Sequence, residues 1–245
     1  LVFDAIRGAD GLDPTAVNRP FSWPALRDPR ALRVGYLASA FEEDRTADVE
    51  DEAEKTALRE WQEWDLATLD ALRGIGIEPA PVELPDGFPV EAMLLTLKAE
   101  AATAFDELTR SGKDETLVRQ VKNAWPNVFR QGQLIPAVEY LRANRVRTLL
   151  MRAMEQLTAE VDVWVSPSYG GSNLLLTNLT GHPAVVVPNG FRSSDGTPTS
   201  ITFMAGLYRE EDALSVAHAF QQATGFHLRR PDLKTAPAGS GGDGS

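Results

Sequence analysis

The 245-residue sequence contains no cysteine, and this absence narrows the chemistry available to it. Disulfide bonds, thiol nucleophiles and zinc–thiolate sites are all excluded. Long apolar runs are also missing, since no stretch approaches the roughly 20 residues that a membrane-spanning helix needs. The first residues lack the basic flank and cleavage site of a secretory signal. These absences favour a cytoplasmic protein that does not associate with a membrane.

Basic residues are scarce relative to acidic ones, with 24 Lys and Arg against 35 Asp and Glu and a formal net charge of −11. This balance argues against a nucleic-acid partner, because nucleic acids bind basic surfaces. Much of the acidity lies in Glu42–Glu54, where Arg45 is the only basic residue. The stretch is open to two interpretations: a metal or basic-partner patch, or a solvated loop leading into a helix N-terminus. The second is favoured, because the ligand spacing and turn glycine of a calcium loop are absent.

Apolar periodicity predicts strands that alternate with helices, and hence an α/β layered fold around a sheet. The predicted strands are Leu32–Leu37, Ile75–Leu84, Val161–Val165, Pro183–Pro188 and Thr199–Leu207. The predicted helices are Asp48–Arg73, Val90–Ser111, Leu117–Phe129, Ile135–Ala159 and Asp212–Thr224. Pro79 and Pro81 place the second strand at a sheet edge, because proline donates no ladder hydrogen bond.

The two ends of the chain differ from the rest. Leu1, Val2, Ala5 and Ile6 have helical spacing and Gly8 reads as the end of that helix, but no capping residue precedes it. We therefore expect the chain to be a piece of a longer protein. At the other end, residues 232–245 are rich in glycine and serine and predict a flexible tail. Residues 1–231 are then expected to form one domain.

The stretch Ser166–Gly190 is the most informative part of the sequence. Its core, Pro183–Pro188, holds Ala-Val-Val-Val between two prolines, which predicts a short, wholly buried strand. A loop of small and amide side chains is predicted ahead of the strand, over Tyr169–Asn178. A turn is predicted behind it, at Pro188-Asn189-Gly190. A buried strand that follows a polar, glycine-rich loop is typical of a site at the edge of an α/β sheet.

The candidate catalytic side chains do not form a self-contained set. His182 precedes the predicted strand, but no G-x-S-x-G nucleophile elbow accompanies it, so we expect it to fix its loop rather than act as a base. Ser166, Ser168 and Ser172 lie around two glycines and could present a hydroxyl and backbone N–H groups to an oxyanion. An activated serine also needs a base, and the sequence pairs none with them.

Six segments in order resemble the C-terminal half of amidase signature enzymes, the Ser–Ser–Lys amidohydrolases. They are LVFDAIRGADGLDP at the start, LRVGYL from Leu32, KAEAATAF from Lys98, RANRVRTLLMRAMEQLTAEVDVWVSPS from Arg142, TNLTGHPAVVVPNGF from Thr177, and GTPTSITFMAGLYREEDALSVAHAFQQATGFH from Gly196. The resemblance implies a three-layer α/β/α fold around a mixed sheet. It also implies amide hydrolysis through an acyl-enzyme, with a serine nucleophile, a second serine, a lysine base and neither metal nor organic cofactor.

The resemblance carries no catalytic residue into this chain. In the family the lysine and both serines lie upstream of the position matching Leu1, and Ser166–Ser172 corresponds to a later loop. What it carries over is a substrate-side wall, formed by Tyr169, Gly170, Gly171, Ser172, Asn173, Asn178 and Thr180. Alternatively, Asn178, Thr180 and Gly181 only shape the turn into the strand. Both interpretations stay open for Asn178, and the second is favoured for Gly181.

The favoured function is therefore the pocket-forming part of an amidase that acts on a small-molecule amide. The rest of the enzyme would be the missing N-terminal half of the same chain or a partner chain. We expect the acyl side of the substrate to be covered by two segments, Val90–Ser111 and Trp125–Gln133. This makes an apolar or aromatic amide plausible. The rival hypothesis is a non-catalytic binding or assembly protein that reuses the half-fold. Either way, uncovered apolar faces would drive self-association into a homo-oligomer.

Overall fold

A five-stranded mixed sheet organises the chain, and the computed structural model describes it over residues 2–231, without the side chains of Phe3 and Asp4. The strand order is β2-β1-β3-β5-β4. The strands are β1 Val34–Leu37, β2 Ala80–Val82, β3 Val163–Pro167, β4 Ala184–Phe191 and β5 Pro198–Ala205. β1 is parallel to β2 and β3, whereas β5 is antiparallel to β3 and β4. The predicted mixed sheet is confirmed, with the proline-containing β2 at its edge.

Helices cover both faces of this sheet. In residues 2–231 the α-helices are α1 Val2–Ile6, α2 Ala38–Glu42, α3 Glu52–Gly74, α4 Leu94–Ala104, α5 Asp106–Arg110, α6 Trp125–Gly132, α7 Ala137–Glu160, α8 Asn173–Thr180 and α9 Glu210–Thr224. Short 3-10 turns occupy Pro29–Ala31, Glu91–Met93, Lys113–Thr116 and Phe226–Leu228. None of the described helices combines the length and apolar character needed to cross a bilayer.

Two separate apolar cores lie on the two faces of the sheet. On one face, α3 and α9 pack buried side chains such as Leu72 and Phe220 against Phe203. On the other, α7 packs Leu150 and its neighbours against Trp164. Successive side chains of a strand point to opposite faces, so β3 contributes to both cores. The expected three-layer arrangement is confirmed.

The predicted helix over Val90–Ser111 is broken in the structure. A 3-10 turn precedes α4, and Phe105 leaves helical geometry at φ −108° and ψ 25°, so that α5 begins as a separate helix. The Phe105 ring stacks on Phe129 at a centroid distance of 4.8 Å. The predicted helix over Leu117–Phe129 is also wrong in its bounds. It begins only at Trp125, with a proline in the first turn, where a missing N–H costs no hydrogen bond.

The loop predicted over Tyr169–Asn178 is largely helical, because α8 begins at Asn173. The polar side chains of α8 bond its own backbone: Thr177 Oγ1 donates to the carbonyl of Asn173 at 2.9 Å, and Asn178 Nδ2 donates to that of Leu174 at 2.8 Å. Gly181 then ends the helix in the left-handed region at φ 82°. These local bonds satisfy the threonine and asparagine side chains within the helix.

The strand and turn predicted at Pro183–Gly190 also need correction. β4 continues through Pro188 to Phe191, with a register shift between Pro188 and Gly190 in place of the expected turn. As a sheet edge, β4 tolerates a proline that a central strand would not. The strand is not wholly buried, since Val186 is 59% exposed while Val187 is buried.

The acidic stretch behaves as a loop that leads into a helix. The Asp51 carboxylate accepts a hydrogen bond from the backbone N–H of Glu54 at 2.7 Å and caps α3. Within residues 2–231, no three His, Asp or Glu side chains are grouped so that they could hold a metal ion. The predicted tail, residues 232–245, lies outside the described part of the chain, as does Leu1.

Candidate functional site

The carboxyl ends of the three parallel strands meet at one edge of the sheet, and a cavity of about 850 Å³ opens there. Leu37 and Ser39 reach it from the end of β1, Glu83 from the end of β2, and Gly170–Ser172 from the end of β3. Ligands of open α/β sheets bind at this edge, because side chains from successive strands converge there. The structure thus brings part of the predicted wall to a site-like position.

The two glycines give the loop after β3 its shape. A side chain at Gly170 would place Cβ 3.0 Å from Cβ of Ala40, so the loop lies close against α2. Gly171 adopts φ 55°, a left-handed conformation that favours glycine, and nothing lies within 4 Å of a Cβ built there. Ser172 follows as the residue that precedes α8. The loop therefore offers bare backbone to the cavity.

Carboxylates dominate the charged lining of this cavity. Glu83 is fixed by Ser39, whose backbone N–H and hydroxyl donate to the two carboxylate oxygens at 2.9 and 2.5 Å. Glu43, Asp86 and Glu91 also line the cavity, to which the described residues contribute no lysine or arginine. Ser39 and Glu83 could not be predicted from the sequence, because they are 44 positions apart and only strand pairing brings them together.

A second cavity of about 670 Å³ adjoins the first, sharing Gly171 and Glu91 with it. Predicted residues Tyr169 and Asn178 line this one. Tyr169 is 77% exposed and meets Trp61 edge-on at a centroid distance of 6.0 Å. The remaining lining comes mainly from α4 and α8 and consists mostly of leucines, with Arg147 from α7. We call this space the leucine cavity.

Asn173 and Thr180, also predicted for the wall, turn inward. The Trp164 indole N–H donates to Oδ1 of Asn173 at 3.2 Å, and the asparagine side chain is 4% exposed. Thr180 is 2% exposed, and its hydroxyl donates to the carbonyl of Leu176 at 2.9 Å. Asn173 thus ties α8 to the sheet, whereas Thr180 bonds within its own helix, and neither side chain lines the two cavities.

His182 is held in place by the residues around it. Its Nδ1 lies 2.7 Å from the Thr180 hydroxyl, and its ring meets Trp164 at a centroid distance of 5.6 Å. Burial lowers the pKa of His182, because the charged imidazolium loses solvation. The side chain thus fixes the turn between α8 and β4, as the sequence predicted.

The serines of the β3 loop bond to other hydroxyls and to backbone. Ser166 donates to the carbonyl of Pro167 at 3.0 Å and is fully buried. Ser168 lies 3.0 Å from Thr202 Oγ1 and accepts from Ser200 at 2.9 Å. In the described chain neither hydroxyl is hydrogen-bonded to a lysine or histidine. Their observed partners are thus hydroxyls and a backbone carbonyl.

Relatives among curated proteins support the family resemblance, although no family model matches the chain. A glutamyl-tRNA(Gln) amidotransferase subunit from Chloroflexus aggregans is 29% identical over 96% of this chain and 54% of its own length. The corresponding subunit from Listeria monocytogenes is 27% identical over 95% of this chain and 54% of its own length. The chain thus spans about half the length of the curated relatives it matches.

Solved structures share the fold. Native peptide amidase from Stenotrophomonas maltophilia matches with a TM-score of 0.68 and 21% identity, over 94% of this chain and 51% of that one. A bacterial aryl acylamidase, which belongs to the amidase signature family, matches with a TM-score of 0.66 and 16% identity. The match covers 91% of this chain and 51% of the acylamidase. The mixed sheet and its helices are those of about half of such an enzyme.

Proposed function

We propose that this chain, which is homologous to the C-terminal half of amidase signature enzymes, forms the substrate-pocket wall of an amidase that hydrolyses a small-molecule carbon–nitrogen amide bond. The observation that carries the proposal is the loop Gly170–Ser172, which lies between two adjoining cavities at the carboxyl ends of the parallel strands. Relatives that match along nearly the whole of this chain, but along only about half of their own length, support the proposal.

The residues of the wall would bind and orient the amide. Tyr169 and Asn178 face the leucine cavity, and Gly171 lies where the two cavities join. Bare backbone at Gly171 lets a substrate approach closely, because no Cβ fills the space. The nucleophilic serine, its serine partner and the lysine would come from a segment outside these 245 residues, and this wall would hold the carbonyl carbon in reach of that serine.

An uncovered stretch of the edge strand β4 supports the need for such a segment. Ala184 is exposed and Val186 is 59% exposed, although both lie in a strand of the central sheet. Apolar strand positions of this kind are normally covered by another layer. We propose that the segment with the Ser–Ser–Lys set packs here, either upstream in the same polypeptide or as a partner chain in the cytoplasm. Self-association of the chain alone would cover the same face.

Labelling with a fluorophosphonate, which reacts covalently with activated serines, tests where the nucleophile lies. We expect label only in the segment with the Ser–Ser–Lys set, and equal labelling after Ser166→Ala or Ser168→Ala. Tyr169→Ala should raise KM with little change in kcat, because it removes a binding contact and no reacting group. Label on a serine of this chain would overturn the proposal. An assembled protein that takes no label would favour the non-catalytic binding function.

A further inference from the structure

Arg45, the only basic residue of the acidic stretch Glu42–Glu54, pairs with a buried carboxylate of α3. Its Nη1 donates a hydrogen bond to Oδ2 of Asp65 at 2.8 Å, and Asp65 is 1% exposed. Its Nη2 donates to the backbone carbonyl of Ala40, in α2, at 3.4 Å. One guanidinium therefore joins α3 to α2, and the proposed wall does not account for it.

A second buried side chain fixes the orientation of the Asp65 carboxylate. Asn189 Nδ2 donates to its Oδ1 at 2.9 Å, and the Thr199 hydroxyl donates to Oδ1 of Asn189 at 2.8 Å. Asn189 lies where the register of β4 shifts, and such irregularities re-aim a side chain. Both carboxylate oxygens of Asp65 are thus hydrogen-bonded, and the carboxylate cannot turn away from Arg45.

The stability of the fold is a weak reason for such a pair. Burial raises the pKa of Asp65, and the hydrogen bonds from Arg45 and Asn189 act against this effect. The loss of hydration of two buried charges largely offsets their attraction, so a buried ion pair adds little net stability. The segment that Arg45 holds in place is a stronger reason, and that segment is α2.

Helix α2 needs support from outside, because it has only five residues and so short a helix is not stable alone. The last carbonyls of a helix also have no partner within it. Arg45 bonds the carbonyl of Ala40, and Gln62 Nε2 bonds that of Phe41 at 3.0 Å. Side chains from outside the helix therefore satisfy the end of α2.

The supported helix lies directly behind the substrate loop. Ser39 and Ala40 of α2 line the first cavity together with Gly170–Ser172. Gly170 packs so closely on α2 that a Cβ built there would stand 3.0 Å from Cβ of Ala40. A shift of α2 would therefore remove the surface against which the loop rests.

We propose that Arg45, anchored by Asp65, positions the loop Gly170–Ser172 by holding α2 behind it. The assignment rests on the proposed function, in which this loop is part of the substrate wall. Arg45 contacts neither the loop nor a reacting group, so it is a positioning residue that acts through α2.

Hydrogen–deuterium exchange of the 245-residue chain, followed by mass spectrometry, measures the opening of each segment. Arg45→Gln should speed exchange about tenfold in α2 and at Gly170, because the loss of a helix cap has this scale. The Gly170 N–H donates to the carbonyl of Pro167 at 3.0 Å, which makes its exchange a probe of the loop. Arg73→Gln, which removes an exposed ion pair with Asp70 on α3, should leave both segments unchanged.

A second variant covers the case in which Arg45→Gln unfolds the core by leaving Asp65 unpaired. Gln62→Ala removes the neighbouring contact to α2 and keeps the ion pair, so it should loosen α2 and the loop without a buried unpaired charge. Exchange in the buried strand β5 should not change in this variant. Unchanged exchange at Gly170 in both variants, or exchange that rises equally in β5 and in the loop, would overturn the assignment.

Kinetics of the protein joined to its Ser–Ser–Lys segment separates this assignment from the proposed function. Arg45→Gln should raise KM with little change in kcat, whereas Arg73→Gln should change neither. Hydrolysis with an unchanged KM in Arg45→Gln would overturn the positioning role and leave the amidase function standing. A joined protein that hydrolyses no amide would refute the proposed function, while the exchange result would still report on the loop.

Discussion

Gly132, the last residue of α6, lies closer to α4 than any side chain would allow. A Cβ at this position would stand 2.4 Å from the carbonyl oxygen of Lys98 and 2.6 Å from Cβ of Ala102. Ordinary contact begins at about 3.4 Å, so an alanine here must push the two helices apart by roughly 1 Å. Neither neighbouring atom can rotate away, since one is backbone and the other is the first atom of a side chain.

The size of the effect follows from two opposing contributions. Alanine in place of a helical glycine stabilises by about 0.5–1 kcal/mol, because it reduces the entropy of the unfolded chain. Overpacking costs about 1–3 kcal/mol, and a contact with backbone belongs at the upper end. For Gly132→Ala we expect the free energy of unfolding to fall by about 2 kcal/mol. Gly74 ends α3, and nothing lies within 4 Å of a Cβ built there. Gly74→Ala should therefore raise the free energy of unfolding slightly.

Urea denaturation followed by far-UV circular dichroism measures both variants. The Gly132→Ala midpoint should fall below the wild-type value, and the Gly74→Ala midpoint should equal or exceed it, with similar slopes. Both are helical glycines, so their difference isolates the close approach of α4 and α6. If Gly132→Ala is as stable as Gly74→Ala, the packing of these helices described above is incorrect.

Two further predictions concern buried polar contacts. Burial alone would raise the pKa of Asp162, but hydrogen bonds from Arg33 and Arg27 outweigh it and hold the pKa well below its usual range. The ionised carboxylate therefore stabilises the fold above pH of about 4, and this contribution is lost as the pH falls further. As the pH is lowered below about 4, the urea midpoint should fall less steeply for Asp162→Asn than for the wild type. An equal fall in both proteins would contradict the lowered pKa of Asp162. Asn173→Leu should cost about 1–3 kcal/mol, because it leaves the Trp164 indole N–H buried without an acceptor. Tryptophan fluorescence during unfolding would check this against exposed Asn178→Leu, and a similar loss in both variants would refute it.

Elements with strong local signals were predictable from the sequence. α3 begins after the capping Asp51, and α9 ends at Gly225, where φ reaches 69°. The alternation of strands and helices indicated the α/β fold, and the prolines of β2 indicated an edge. In each case the determining interaction lies within a few residues of the element.

The features that the sequence did not predict depend on contacts between distant residues, or belong to a helix that contains turn-favouring residues. α8 resembles a loop in sequence because threonine and asparagine favour turns, yet here their side chains bond carbonyls of the same helix. Arg147 gave no signal, because its partner Leu179 is 32 positions away and only packing of α7 on α8 joins them. The two cavities likewise depend on which strands pair, which periodicity alone does not determine.

Whether this chain hydrolyses amides alone, or only when it is joined to a segment with the Ser–Ser–Lys set, decides where the nucleophile lies. Ammonia release from a panel of aliphatic and aromatic primary amides is the measurement. We predict no release above background from the 245-residue chain, and turnover when the segment is present in the same polypeptide or as a partner. Hydrolysis by the chain alone that is lost on Ser166→Ala or Ser168→Ala would contradict the account.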